Sequence, residues 1–84
     1  MRVYMQTPPE KDQAPRYYQL LVQEDLLEGW TLIREWGRQG SPGRIKRDHF
    51  ATLEETLTAC TKVRDTQLGK GYQVVFSKGQ ELMT

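Results

Sequence analysis

Residues 16–38 read RYYQLLVQEDLLEGWTLIREWGR. Two runs within this stretch alternate with period two. In the first, Tyr18, Leu20 and Val22 fall on one side, and Tyr17, Gln19, Leu21 and Gln23 on the other. In the second, Trp30, Leu32, Arg34, Trp36 and Arg38 fall on one side, and Thr31, Ile33, Glu35 and Gly37 on the other. Such alternation is the signature of strands with one face turned to a core. The segment between them, Glu24 to Gly29, is polar at both ends and closes on a glycine, which predicts a hairpin connection longer than a tight turn.

The flanking segments extend this hairpin. Gly37, Gly40, Ser41, Pro42 and Gly43 crowd one short stretch, so the chain must leave strand geometry there. Arg44 to Phe50 reads as a third, more polar strand, and its charges suit a sheet edge. Thr52 to Leu68 predicts a helix. Thr52 and Glu55 form a capping-box pair, and Leu53, Leu57, Cys60, Arg64 and Leu68, with Val63 beside them, fall at helical spacing. Gly69 and Gly71 end it. Upstream, Val3 and Met5 alternate around Tyr4 in a short strand over about residues 2–6, and Pro8, Pro9 and Pro15 make residues 7–15 a loop. Tyr72 to Phe76 suits a last short strand, and residues 77–84 have little to bury and are expected to fray. Short connections imply antiparallel pairing. The expected fold is α+β: an antiparallel sheet of four to five strands with one helix packed on one face. It occupies residues 1–76 as a single domain with its core in 16–72.

Eighty-four residues suit one domain with a thin core and are too few for an ordinary nucleotide-dependent enzyme domain. The single cysteine, Cys60, cannot form an internal disulfide, which favours a reducing compartment. No apolar run has the length of a signal peptide or a membrane helix, so a cytoplasmic protein without membrane partners is expected. An enzyme is hard to build from these residues. The only histidine, His49, lies on the polar third strand, while Cys60 lies on the apolar helix stripe. Together they provide neither a nucleophile–base–orienter set nor four zinc ligands. No catalytic residue, cofactor or metal is expected.

The net charge of +1 hides an uneven distribution. Arg34 to Arg47 holds five basic residues against one acid, a net of +4, and the rest of the chain holds a net of −3. The basic segment surrounds a glycine-rich turn and contains Trp36. Cations neutralise phosphates, glycines admit a phosphate close to the backbone, and an aromatic ring can stack on an exposed base or sugar. The same residues would also serve a solvated edge strand with its tryptophan in the core, and composition does not choose between the two. Trp30, Tyr17 and Tyr18 read as packing residues.

Trp36-Gly37-Arg38, followed by Gly40 and Gly43, resembles the motif of the WGR domain. The wider run from Arg34 to Arg44 is similar to stand-alone bacterial members of that family. Tyr17-Tyr18 before the motif, Lys46 and Phe50 after it, the capped helix, and Lys70-Gly71-Tyr72 extend the match over roughly residues 16–72. The resemblance implies the same α+β sheet. It also implies the chemistry known from DNA-damage-activated poly(ADP-ribose) polymerases, where the motif tryptophan packs on the sugar at a DNA end. Carried over, Trp36 would stack on a terminal nucleotide, Gly37 and Gly40 would let the backbone approach, and Arg44 and Lys46 would hold phosphates. The motif arginine, Arg38, touches partner domains in those polymerases, so DNA, another protein and the fold itself are its three candidate roles here. Gln39 stands where a small apolar residue is common, and Arg47 often has an apolar counterpart. The chain cannot contain the polymerases' catalytic domain. The expected function is therefore a non-catalytic, monomeric DNA-binding module for ends or nicks. The alternative is a protein-interaction module using the Trp36 and Arg38 surface.

Overall fold

The computed structural model describes residues 1–79. Five strands and one helix follow in the order β1 (Arg2–Gln6), β2 (Arg16–Glu24), β3 (Trp30–Arg38), β4 (Arg44–Phe50), α1 (Leu53–Gly69) and β5 (Gln73–Lys78). They form one antiparallel sheet in the order β4-β3-β2-β1-β5, with α1 on one face. This is the α+β arrangement expected from the sequence. The β2–β3 hairpin is the centre of the molecule, pairing from Arg16 with Arg38 at one end to Glu24 with Trp30 at the other.

Burial follows the alternation. Tyr18, Leu20 and Val22 of β2, Leu32 of β3, and Val3 and Met5 of β1 form the buried sheet side of the core. Trp30, Trp36 and Phe50 pack against its margins. The helix supplies Cys60 and Thr56, both buried, with Leu53, Leu57 and Val63 partly covered. The expected apolar stripe is thus displaced: Leu68 is exposed and Thr56 is fully buried. A threonine can lie there because its hydroxyl donates to the Thr52 carbonyl one turn back, at 2.8 Å. Thr52 caps the helix, its Oγ1 accepting the Glu55 amide at 3.1 Å and donating to the Glu55 carboxylate at 3.0 Å. The carboxylate therefore grips the cap hydroxyl rather than the backbone amide of the usual capping box.

The helix crosses from β4 at one edge to β5 at the other, and β5 pairs with β1. The last strand differs from expectation. It runs on through Ser77 and Lys78, which places the first residues of the expected frayed tail within the sheet. Residues 80–84 of that tail lie outside the described residues. Tyr4 pairs with Phe76 but Met5 pairs with Val74, so Val75 is an extra residue opposite β1. This bulge breaks the alternation, putting Val74 on the helix side with Met5 and Phe76 on the open face with Tyr4. The proline loop before β2 is tied at its base. The Thr7 amide donates to the Arg16 carbonyl, and the Arg16 amide donates to Thr7 Oγ1, both at 2.9 Å.

Candidate nucleic-acid interface

Trp36 lies near the end of β3, on the helix side of the sheet. Its ring stacks on Tyr18 with centroids 5.5 Å apart and planes within 11°. Tyr72, just after the helix, meets Tyr18 edge-on at 6.0 Å. The end of the helix reaches this part of the sheet through Gln67 and Lys70. A cleft of about 360 Å³ opens there, walled by Tyr18, Trp36 and Tyr72 and by Arg16, Gln67 and Lys70. Thr7, Arg16 and Lys70 also line a neighbouring hollow of about 220 Å³ beneath the proline loop, where Arg38 joins them. The two hollows share Thr7, Arg16 and Lys70 in their linings.

Strand register sorts the cations. Arg44 pairs with Trp36, Lys46 with Arg34, and Arg38 with Arg16, so all three share the face of Trp36. Arg47 pairs with Ile33 and belongs to the opposite face. Arg34 is bound to Asp48 at 3.2 Å, and among the described residues its buried Nε has no hydrogen-bond partner. Of the five basic residues in the sequence segment, three therefore serve the Trp36 surface. Two further cations join them from outside it: Arg16 at the start of β2, and Lys70 at the helix C-cap. Among the described residues, none of these five has a carboxylate within salt-bridge distance. The helix C-terminus carries a partial negative charge. Lys70 and Arg16 stand where that charge would otherwise repel an anion.

The glycines are of two kinds. A Cβ on Gly43 would overlap the Tyr17 hydroxyl and come within 2.8 Å of the Trp36 carbonyl oxygen. One on Gly37 would sit 3.0 Å from Gly43 Cα and 3.5 Å from the Tyr17 ring. The space a side chain would need at Gly37 is thus filled from within the protein. Gly40 is different: its φ is +82° and the space beside it is open. Tyr17 is fixed by stacking on Tyr4 and by donating to the Glu35 carboxylate at 3.3 Å. Loss of water around the phenol, together with the Glu35 charge, raises its pKa above the ordinary value.

Arg38 donates to the Ala14 carbonyl at 3.1 Å, and the Gln39 amide donates to the Pro15 carbonyl at 2.9 Å. Gln39 also bonds Tyr4 and Gln6 through its side chain. Arg38 and the atypical Gln39 therefore lock the proline loop against the motif strand. His49 and Cys60 do not meet. His49 is on the open face, 3.1 Å from Asp25, while Cys60 is buried between helix and sheet, where desolvation raises its thiol pKa. The position of Arg16 and Lys70 on the cleft was not readable from local charge density. Their signals were indirect: Arg16 opens the strand that pairs with the motif, and Lys70 precedes the glycine and tyrosine after the helix.

A family model of the WGR domain matches residues 1–79, and the chain belongs to that family. WGR domains are in general non-catalytic and commonly bind nucleic acid. An uncharacterized protein of Sinorhizobium fredii (strain NBRC 101917 / NGR234), y4dW, is 25% identical over 72 residues, which cover 86% of this chain and 35% of that protein. The chain thus spans about a third of the length of this curated relative. No solved structure matches it. Among the described residues, no helix is long and apolar enough to cross a membrane.

Proposed function

We propose that this member of the WGR family is a non-catalytic module that binds DNA at ends or nicks. Trp36 stacks on the terminal nucleotide, while Arg16, Arg38, Arg44, Lys46 and Lys70 hold the flanking phosphates. The turn around Gly40 offers its open backbone as a further contact. One observation carries the reading: an aromatic wall with five cations on its own face, none held by a carboxylate among the described residues. An intact duplex hides its bases and sugars behind continuous stacking, whereas a terminus exposes one nucleotide to a ring. Arg38 has a second task in this reading, since one of its donors also holds the loop.

Fluorescence anisotropy with blunt, nicked and closed circular duplexes tests it. Stacking is worth about 1–3 kcal/mol per base, so Trp36→Ala should weaken end binding roughly 5- to 150-fold. Lys46→Ala should weaken all three DNA forms alike. Circular dichroism verifies that each variant keeps its fold, since Trp36 also packs on Tyr18. Equal binding by native protein and Trp36→Ala removes the stacking role. Absence of binding to every form at low salt removes the proposal.

A further inference from the structure

The turn at the opposite end of the hairpin carries a feature that DNA binding does not use. Leu26 and Leu27 project at its tip with 101% and 86% of their surface exposed. Single exposed leucines are ordinary, but an adjacent pair on a rigid support is not. The support here is built from several sides. Asp25 accepts the Leu27 amide at 2.9 Å and the Thr31 hydroxyl at 3.3 Å, and lies 3.1 Å from His49 Nδ1. The Asp25 amide donates to the Gly29 carbonyl at 2.9 Å. Glu28 sits at φ +69° and Gly29 at +117°, and a Cβ on Gly29 would collide with the Phe50 carbonyl and the His49 ring. A non-glycine residue at positive φ persists only where its surroundings hold it there. The tip is thus preorganised, which lowers the entropic cost of docking it.

The chemistry of the tip is apolar with an acidic flank. The Asp25 carboxylate is spent on the turn, while Glu24 and Glu28 are exposed. The complementary surface exists on the same molecule: aromatic walls at Trp36 and Tyr72 with a rim of Arg16 and Lys70. The two cannot meet within one chain. They lie at opposite ends of β3, whose eight residue steps span roughly 26 Å. We infer that the Leu26–Leu27 tip of one copy docks in the Trp36 cleft of a second copy. The leucines lie against the aromatic walls, and Glu24 and Glu28 face Lys70 and Arg16. This departs from the monomer expected from the sequence. The contact is heterologous, so it propagates head to tail. It shares the cleft with the proposed DNA terminus, and self-association and DNA binding exclude each other. The inference does not depend on the DNA reading, because the test below contains no DNA.

Sedimentation velocity of the native chain, from about 10 µM to about 1 mM at low salt, should show a sedimentation coefficient that rises with concentration. Leu26→Ser/Leu27→Ser removes only exposed side chains and should sediment as a monomer throughout. Lys70→Glu, which leaves the tip intact, should do the same. Mixing these two variants leaves one intact cleft and one intact tip, so the mixture should recover association as 1:1 dimers that do not grow further. A native protein that stays monomeric over the range overturns the inference. So does a double leucine variant that associates like the native chain, or a mixture that remains monomeric.

Discussion

Lys70→Ala isolates a charge that acts on the Trp36 surface through folding alone. Each phosphate neutralised by a cation contributes about −0.9 to the slope of log K against log salt. Five cations share the Trp36 surface, which limits the native slope to about −4.5. Three or four simultaneous contacts give about −3. A fourfold rise in salt, from about 50 to about 200 mM, then weakens native binding roughly 60-fold. Removing Lys70 should flatten the slope to about −2.1, and the same rise should cost only about 20-fold. The matched control is Arg47→Ala. Arg47 belongs to the basic sequence segment, but it pairs with Ile33 and faces the other side of the sheet. Its removal should leave the slope unchanged. Anisotropy of a labelled blunt duplex across a salt series reads both variants. If Lys70→Ala keeps the native slope, or Arg47→Ala flattens it equally, the assignment of the binding face is wrong.

Gly43→Ala forces a methyl against Tyr17 and the Trp36 carbonyl and should destabilise the fold by about 1–3 kcal/mol in urea titration. Among the described residues Gly40→Ala meets no atoms within 4 Å, so it carries only the left-handed backbone penalty, about 1–2 kcal/mol by the same measurement. Thr52→Ala removes the helix cap and should cost about 1 kcal/mol, with Thr52→Ser recovering most of it. The Asp25 carboxyl is held below its ordinary 3.8, first by the Leu27 amide and then by His49 and Thr31, against the opposing effect of burial. Its charged form therefore stabilises the fold fully above that ordinary value, and the contribution is lost as pH falls through the lower folded value. The melting-temperature gap between the native chain and Asp25→Asn should be present at neutral pH and close in strong acid.

The strands and the helix were legible because their signals are local. Period-two alternation marked β1 to β3, the glycine-rich turn and the polar run after it marked β4, and Thr52 with Glu55 marked the helix start. What escaped were effects of pairing between distant segments. The bulge at Val75 flips the last strand's faces only because β5 lies beside β1, a neighbour supplied by the crossover of the helix. The helix stripe moved because Thr56 satisfies its hydroxyl within its own turn and can be buried like a small apolar residue. At the candidate site, Trp36, Arg38, Arg44 and Lys46 were within reach of sequence reasoning, since they lie in the basic, glycine-rich segment and in the run that resembles the WGR motif. Arg16 and Lys70 were not, because they reach the Trp36 surface from the neighbouring strand and from the end of the helix. The packing at Gly37 was hidden for a similar reason: Tyr17 and Gly43, from other segments, fill the space a side chain would need there.

Charge bookkeeping along the chain also changes meaning once the sheet is paired. A run of five cations looks like one patch, yet alternation sends Arg47 to the far face and Asp48 neutralises Arg34. The patch is then rebuilt from segments that carry no charge cluster of their own. The acidic counterpart is likewise local, at Glu24 and Glu28 beyond the far end of the same hairpin. Because β2 and β3 are continuous between these ends, the separation is held by backbone pairing and not by flexible side chains. A chain of net charge +1 therefore presents a fixed dipole along its central hairpin. Such a field orients an approaching polyanion toward the Trp36 end and turns the leucine tip away from it. On the proposed function, that orientation is what a module with few phosphate contacts needs, since it cannot rely on bulk charge to hold nucleic acid at any angle.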